Sequence, residues 1–355
     1  MIRSSADAPE LAEILAVEAE RLGIRPVVLH TPERVLFETL GPTGPSNGGH
    51  VTRAEAAAIA ECDGYLFVPP DPEHFNRRER LPAARRRALH ERGLEWDRAL
   101  VHHSVPSVFL LAAWTTGPMA RHLGLDIAAW RRETFRGCTV APRVLRRGIP
   151  PLLRRLRRGR RVRITHRNGT DLELGLLGQV PFVDDGVVDP RDLASGRVWT
   201  TLPAGTITVA LDENVAEGRL ISNRPSRHHR GTIQGLEWSF RNGRLDRFVA
   251  RQGRRIFEET YRRAGRERDQ PAMLSIGLNP EIHDFPFAED QQQGVVTLYI
   301  GRNDDYGGRT GGEFRDYALI AGANLCIDGR PAVPGPPGKW ADGSRSPAKR
   351  PRKRG

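Results

Sequence analysis

Lysine and cysteine are scarce in this chain of 355 residues, and long apolar runs are absent. The three cysteines, Cys62, Cys138 and Cys326, lie far apart without a CxxC motif, which argues against a disulfide framework and a zinc knuckle. Acidic residues interrupt the apolar positions near the N-terminus, and no later run approaches about 18 apolar residues. We therefore expect a soluble, cytoplasmic protein with no membrane partner.

The basic charge of the chain is carried almost entirely by arginine. Only three of its 55 basic residues are lysines, and the formal net charge is +12. A surface selected to bind phosphate ordinarily mixes both residue types, so this bias indicates an arginine-rich proteome. Half of the net charge lies after residue 334, where seven basic residues accompany one acidic residue. We expect no nucleic-acid partner beyond non-specific contacts of this tail.

The first part of the chain alternates helical and strand patterns. Residues 8–23 have amphipathic helical spacing, and Thr52 with Glu55 three residues later forms a capping box at the start of a second helix. The arginine-rich stretch 76–93 predicts a third helix, with a solvated face. Short apolar runs predict strands at residues 25–30, 64–68 and 107–111. Helices that alternate with apolar strands predict a mostly parallel sheet.

Residues 143–163 contain ten arginines. One interpretation is a helix whose arginines are solvated while Leu152, Leu153 and Leu156 pack inward. The other is a phosphate-binding stripe, although no aromatic residues are interleaved to stack on bases. The composition favours the solvated helix.

After residue 160 the sequence consists of short strands separated by turn signals. Asn-Gly and Asp-Gly pairs, which predict hairpins, occur at residues 168–169, 185–186, 242–243 and 328–329. The predicted fold class is therefore α/β, with a mostly parallel N-terminal domain at 1–143 and an arginine-rich connector at 144–159. A largely antiparallel α+β domain follows at 160–333, and a disordered basic tail at 334–355.

Five segments in this second part resemble, in the same order, the motifs of one family. They are residues 164–172 (T…GTDL), 202–205 (LPAG), 275–280 (GlNP), 294–301 (a Gly-bounded strand) and 311–316 with Asp328-Gly329 (D…DG). Together they resemble the aminopeptidase T family of metallo-aminopeptidases, whose relatives include 2,5-dihydroxypyridine dioxygenase. The resemblance implies two metal ions bound between two domains, and a homodimer.

The family's metal ligands are mostly replaced in this chain. The residues at four ligand positions are Thr206, Met273, Thr297 and Phe314, and only the aspartate is retained, as Asp316. A dinuclear hydrolase needs bridging carboxylates and imidazoles to hold its two ions, and mononuclear oxygenases need two histidines and a carboxylate. The resemblance therefore implies a degenerate site without a metal or another cofactor.

Charged residues near these segments are candidates for chemistry without a metal. Glu313 and Asp316 are the predicted catalytic carboxylates, with Tyr306 as a proton donor. The predicted substrate-binding residues are Arg315, Arg302, Asn303 and His283.

The first hypothesis is a divergent, metal-independent enzyme that acts on a small polar, peptide- or amino-acid-derived substrate in the interdomain cleft. A second is a metal-dependent aminopeptidase with relocated ligands, for which His283, Asp284, Glu313 and Asp316 are the candidates. The neighbouring pair His228 and His229 is a further candidate for relocated ligands, although such pairs are more often exposed. A third hypothesis is a non-catalytic binding protein whose basic tail contacts acidic partners.

Overall fold

The computed structural model describes residues 1–5, 9–31, 50–70, 80–147, 149–228, 230–283 and 285–333. This part of the chain forms a five-stranded parallel sheet, an 11-stranded antiparallel sheet and a two-stranded ribbon. The predicted α/β class, with a parallel sheet followed by an antiparallel one, is confirmed. None of the helices in these ranges is long and apolar enough to cross a membrane.

The parallel sheet is built mainly from the first part of the chain. Numbered along the chain, its strands are β1 (Ile2–Ser5), β2 (Val28–Thr31), β3 (Tyr65–Val68), β4 (Ser107–Leu110) and β8 (Trp199–Leu202). They lie in the order β2-β1-β3-β4-β8. β8 lies well beyond the predicted boundary at residue 143, so the chain returns to the first sheet after entering the second. The division into domains therefore stays a prediction.

Helices cover both faces of this sheet. α1 (Pro9–Arg21) buries Ala12 against Ile2 and Val68 on one face. α2 (Arg53–Ala60) and α3 (Ala83–His102) bury Ile59, Trp96 and Leu100 on the other. The capping box at the start of α2 is confirmed. The third predicted helix begins later than residue 76, at Ala83, and residues 71–79 lie outside the described part.

A run of short helices connects β4 to the second sheet. A 3-10 helix at Leu111–Trp114 is followed by α4 (Gly117–Leu123), α5 (Ile127–Cys138), α6 (Pro142–Leu145) and α7 (Ile149–Arg158). The side chains of Thr116 and Asp126 cap α4 and α5. α7 buries Leu152 and Leu156 while its arginines are exposed, which agrees with the solvated-helix interpretation.

The antiparallel sheet is organised around β9 (Thr206–Ile221), a strand of 16 residues. β9 pairs with three other strands along its length, β6, β12 and β14, besides β7, which joins at its beginning. The other strands are β5 (Arg161–Thr165), β6 (Asp171–Leu176), β7 (Phe182–Asp184), β12 (Glu237–Arg241), β13 (Arg244–Val249), β14 (Pro271–Gly277), β15 (Val295–Gly301), β16 (Arg315–Ala321), β17 (Asn324–Ile327) and β18 (Arg330–Val333). The ribbon consists of β10 (Ser226–His228) and β11 (Gly231–Ile233), and the remaining helices are α8 (Pro190–Ala194) and α9 (Arg254–Arg263).

Three of the four predicted hairpins are confirmed. The turns at 168–169, 242–243 and 328–329 join β5 to β6, β12 to β13 and β17 to β18. Asn242 and Asp328 have positive φ, as do the glycines after them, which is the conformation that two-residue hairpin turns need. The prediction for Asp184-Asp-Gly186 is wrong, because β7 ends there and Asp184 is buried in hydrogen bonds to residues of β8.

The two faces of the second sheet have different roles. Leu274, Ile276, Leu298 and Ile300 point into the largest apolar core, which α7 and α9 close. Because side chains alternate along a strand, the residues between them point to the opposite face. That face turns toward the parallel sheet, and the candidate site lies on it.

Candidate functional site

A cavity of about 520 Å³ lies between the two sheets. Phe109 and Leu111, at the end of β4, and Thr200 and Thr201, near the end of β8, form one side. The carboxyl ends of parallel strands are the usual location of a binding crevice in α/β proteins. We call this space the aromatic cavity, because most of its wall is apolar and the following rings line it: Phe109, Trp114, Phe182, Trp199, Phe287, Tyr299, Tyr306 and Tyr317.

Asp184 is a buried carboxylate on the wall of the aromatic cavity. Thr200 Oγ1 donates to Asp184 Oδ1 at 2.6 Å, and Thr201 donates through both its backbone N–H and its hydroxyl. Burial raises the pKa of Asp184 to about 6, and these hydrogen bonds limit the rise because they stabilise the charged form. Asp184 therefore titrates close to the physiological range.

A 3-10 helix at Glu289–Gln291 carries two further carboxyl groups to the cavity. Its approach to β14 is very close, since a Cβ on Gly277 would lie 2.0 Å from the Gln292 carbonyl oxygen. The segment before it is anchored by Phe285 and Ala288, which pack with Trp130 of α5 in an apolar cluster. The close approach to β14 and the packing against α5 together position Glu289 relative to the sheet.

Glu289 is a buried acid on this wall. It is 7% exposed, and Arg227 Nη1 lies 3.4 Å from its Oε1. Burial raises the pKa of Glu289 to about 8, although the Arg227 guanidinium opposes the shift. Its neighbour Asp290 accepts a hydrogen bond of 2.8 Å from the Tyr299 hydroxyl, and burial also raises the pKa of Asp290. Two carboxyl groups with different pKa values, Asp184 and Glu289, thus line one space.

The Asp184 and Glu289 sides of the cavity are joined by hydrogen bonds. Gln291 Nε2 donates to Thr201 Oγ1 at 3.1 Å, and the Thr201 hydroxyl donates to Asp184. These hydrogen bonds therefore hold the segment that carries Glu289 next to β8.

Tyr306 is the one residue from the predicted catalytic set that lines the aromatic cavity. Its ring packs edge-on against Phe182, and the Arg315 guanidinium lies 5.6 Å from the ring centre. Within the described ranges the Tyr306 hydroxyl has no hydrogen-bond partner. Desolvation raises the pKa of Tyr306 above its usual value, so the phenol stays protonated and can donate.

A second cavity of about 770 Å³ lies next to the first. His228 and Arg315 line both spaces. The second cavity also contains Glu313, Asp316 and Arg302, so the predicted site residues divide between the two spaces. Asp316 is buried there and faces His228, with 3.6 Å between Oδ1 and Nε2.

The five positions of the implied metal site do not all share one face. Thr206 and Met273 line the aromatic cavity, and the β14–β15 register places Thr297 on the same face. Thr297 is fully buried, and its hydroxyl has no partner within the described residues. Phe314 and Asp316 lie on the other face, because Phe314 joins the large core and Asp316 pairs with Ile300. Three of the five positions therefore share one face of the sheet, and the other two lie on the opposite face.

Two predicted substrate-binding residues line neither cavity. The Asn303 amide is used inside the protein, since Nδ2 donates to the Ala272 carbonyl at 3.2 Å and Oδ1 accepts from Thr310 N–H at 2.8 Å. Its role is to hold the loop after β15, which corrects the prediction that it binds substrate. The His283 side chain is exposed, and its backbone N–H donates to Glu133 Oε1. Asp284 and His229 lie outside the described residues.

Sequence reasoning missed Asp184, Glu289 and Arg227. The sequence predicts a hairpin turn at Asp184, and Glu289 lies in a loop without periodicity. Tyr299 and Tyr317 could have been found from the alternation of side chains along a strand. Tyr299 shares a strand face with Thr297, and Tyr317 shares one with Arg315. Their cross-strand pairing brings them together at the cavity.

The fold is similar to those of two solved structures. The chain is similar to 2,5-dihydroxypyridine dioxygenase from Pseudomonas putida KT2440, with a TM-score of 0.63, 12% identity, and 94% of this chain and 89% of that chain covered. It is also similar to wild-type AmpT, aminopeptidase T, from Thermus thermophilus, with a TM-score of 0.61, 17% identity and 94% of each chain covered. No family model and no curated protein matches the sequence. The likeness is one of fold.

The side chains at the implied ligand positions do not fit a divalent metal ion. Thr206, Met273 and Thr297 offer hydroxyls and a thioether in place of the carboxylates and imidazoles that such ions prefer. In the described ranges no three His, Cys, Asp or Glu side chains are grouped so that they could hold one. The carboxylates of the aromatic cavity already have protein partners, so no step is assigned to a metal.

Proposed function

We propose that this protein is a divergent enzyme of the aminopeptidase-like fold that acts by proton transfer on a small, amino-acid- or peptide-derived molecule in the aromatic cavity. The observation that carries this proposal is the position of Asp184 and Glu289, two buried carboxyl groups, on the wall of one aromatic-lined space. Binding pockets of this size are usually apolar with a few convergent polar groups.

The two carboxyl groups have complementary states near neutral pH. Asp184, with a pKa of about 6, is mostly ionised and can accept a proton. Glu289, with a pKa of about 8, is mostly protonated and can donate one. Environments that separate the pKa values of two acids are typical of general acid and base pairs. Tyr306 supplies a second neutral donor beside them.

The residues that line the cavity also restrict the class of substrate. Its rings favour a ligand with an apolar, preferably aromatic, body, whereas the sequence predicted a small polar, peptide- or amino-acid-derived substrate. The short-peptide part of the prediction is retained, since a hydrophobic residue joined to an amide fits such a wall. The homodimer and the cytoplasmic location stay predictions.

The alternative of relocated metal ligands has less support. Glu313 and Asp316 line the second cavity, whereas His283 lines neither cavity. The binding-protein alternative depends on the tail at 334–355, which lies outside the described residues.

Amide hydrolysis with excess chelator tests the proposal. Aminoacyl anilides and dipeptides with aromatic side chains are incubated with the full-length protein in the presence of EDTA. Product release is expected from the wild type, and Glu289→Gln or Asp184→Asn should lower its rate by about 10²–10⁴-fold. Tyr306→Phe should lower it less. Glu61→Gln, an exposed substitution of the same type, is the matched control.

Two results would count against this function. Release that needs an added metal ion and survives Glu289→Gln would support the relocated-ligand alternative. A panel in which no aromatic compound binds saturably, measured by calorimetry, would favour a protein without chemistry in this cavity.

A further inference from the structure

The second cavity is lined by five arginines and three acidic residues. Arg86 and Arg87 come from one face of α3, together with Ala83 and His90, since these positions lie three, four and seven residues apart. Arg263 is at the end of α9. The cavity is thus formed by helices from both parts of the molecule.

Other arginines on the same two helices form ion pairs with glutamates. On α9, Arg254 and Arg255 pair with glutamates four residues later, at 2.8 and 2.7 Å, and Arg262 pairs at 3.7 Å. Arg263, on the same helix, has no such partner among the described residues. α3 repeats the contrast, because Arg92 pairs with Glu55 at 2.7 Å.

Arg86 and Arg87 lack a carboxylate partner within the described ranges. Arg86 Nη1 donates to the Leu81 carbonyl, and Arg87 is exposed. Arg86, Arg87 and Arg263 therefore line the second cavity without a carboxylate partner among the described residues.

None of the three acidic residues of this cavity forms an ion pair with Arg86, Arg87 or Arg263 within the described ranges. Asp316 is buried opposite His228. Glu267 accepts the Gly265 backbone N–H, and Glu313 is exposed at the edge. The remaining arginines, Arg302 and Arg315, pair with Asp304 and Asp305 at 2.5 Å.

We propose that the second cavity is an anion subsite, which holds the phosphate or carboxylate end of an extended ligand whose apolar body occupies the aromatic cavity. Guanidinium groups recognise these two planar or tetrahedral anions through charge-assisted hydrogen bonds. His228 and Arg315 form the boundary that the ligand would cross, since they line both spaces. The extended ligand rests on the proposed function, whereas the subsite itself does not.

Binding of inorganic phosphate to the full-length protein tests the subsite by itself. Calorimetric titrations at constant ionic strength compare Arg87→Gln and Arg263→Gln with Arg85→Gln and Arg262→Gln. The second pair removes the same charge from the same helices at positions that do not line the cavity. The cavity variants should bind phosphate about tenfold more weakly, and the controls within about twofold of wild type. Equal losses in all four, or no saturable binding, would overturn the subsite.

Phenylalkyl phosphates with chains of increasing length then test the link between the cavities. One chain length should bind more tightly than inorganic phosphate, and Arg87→Gln should remove that gain. A series in which no member exceeds phosphate would refute the extended ligand. A parallel titration with acetate and phenylalkanoates distinguishes a carboxylate from a phosphate as the preferred end group. Because these readouts are affinities, they separate failure of the subsite from failure of the proposed catalysis.

Discussion

The raised pKa of Glu289 makes a quantitative prediction about stability. In the folded protein its pKa is about 8, against an ordinary value of 4.5. The protonated form is favoured on folding, so the contribution of Glu289 to stability is fully present below pH 4.5. It is lost as pH rises toward 8, because the unfolded chain releases the proton first.

The size of this effect follows from the two pKa values. At about 1.36 kcal/mol per pKa unit, the group should contribute a loss of roughly 3–4 kcal/mol to the free energy of unfolding between pH 5 and pH 8. Glu289→Gln keeps the shape and a neutral polar group and cannot ionise. Its free energy of unfolding should therefore fall by roughly 3–4 kcal/mol less than that of the wild type over the same pH interval.

Guanidinium unfolding, followed by tryptophan fluorescence at pH 5, 6, 7 and 8, measures this difference. Asp184 contributes a similar slope at lower pH, but it is present in both proteins and cancels in the comparison. Glu61→Gln serves as the control for the substitution itself. Parallel pH profiles for the wild type and Glu289→Gln would refute the reasoning, because they would mean that Glu289 titrates alike in both states.

Four further substitutions test other parts of the structure by the same measurement. Thr297→Val removes a buried hydroxyl without a described partner and should be neutral or stabilising by about 1 kcal/mol. By contrast, Thr208→Val breaks a 3.0 Å hydrogen bond and should destabilise the protein by about 1–2 kcal/mol. A larger loss of stability in Thr297→Val than in Thr208→Val would contradict this expectation. Gly277→Ala should destabilise by about 1–3 kcal/mol, because the new Cβ would meet the Gln292 carbonyl at 2.0 Å, and unchanged stability would show that the loop has room to move. Thr52→Ala removes the capping box of α2 and should cost about 1 kcal/mol, so a value near zero would argue that the cap is not formed in solution.

Local sequence signals predicted much of the scaffold. The capping box at Thr52 and the Asn-Gly turn at 242–243 act through contacts between residues close in sequence, so the pattern alone was sufficient. Alternation of helices and apolar runs likewise predicted the parallel sheet. The resemblance to aminopeptidases, carried by short ordered motifs, agreed with the fold of AmpT.

The candidate site depended on contacts that no local pattern specifies. The return of the chain to the first sheet at Trp199–Leu202 brings Thr201 beside Asp184, and a loop without periodicity brings Glu289 to the same wall. Strand register decided that Asp316 faces the core side while Tyr317 faces the cavity, since a shift of one residue reverses the face of a strand. The sequence by itself determined local elements such as the capped helix at Arg53–Ala60 and three of the hairpin turns. Only the tertiary structure decided which carboxyl groups share a cavity, because residues far apart in sequence meet there. It also set their pKa values, which depend on burial and on those neighbours.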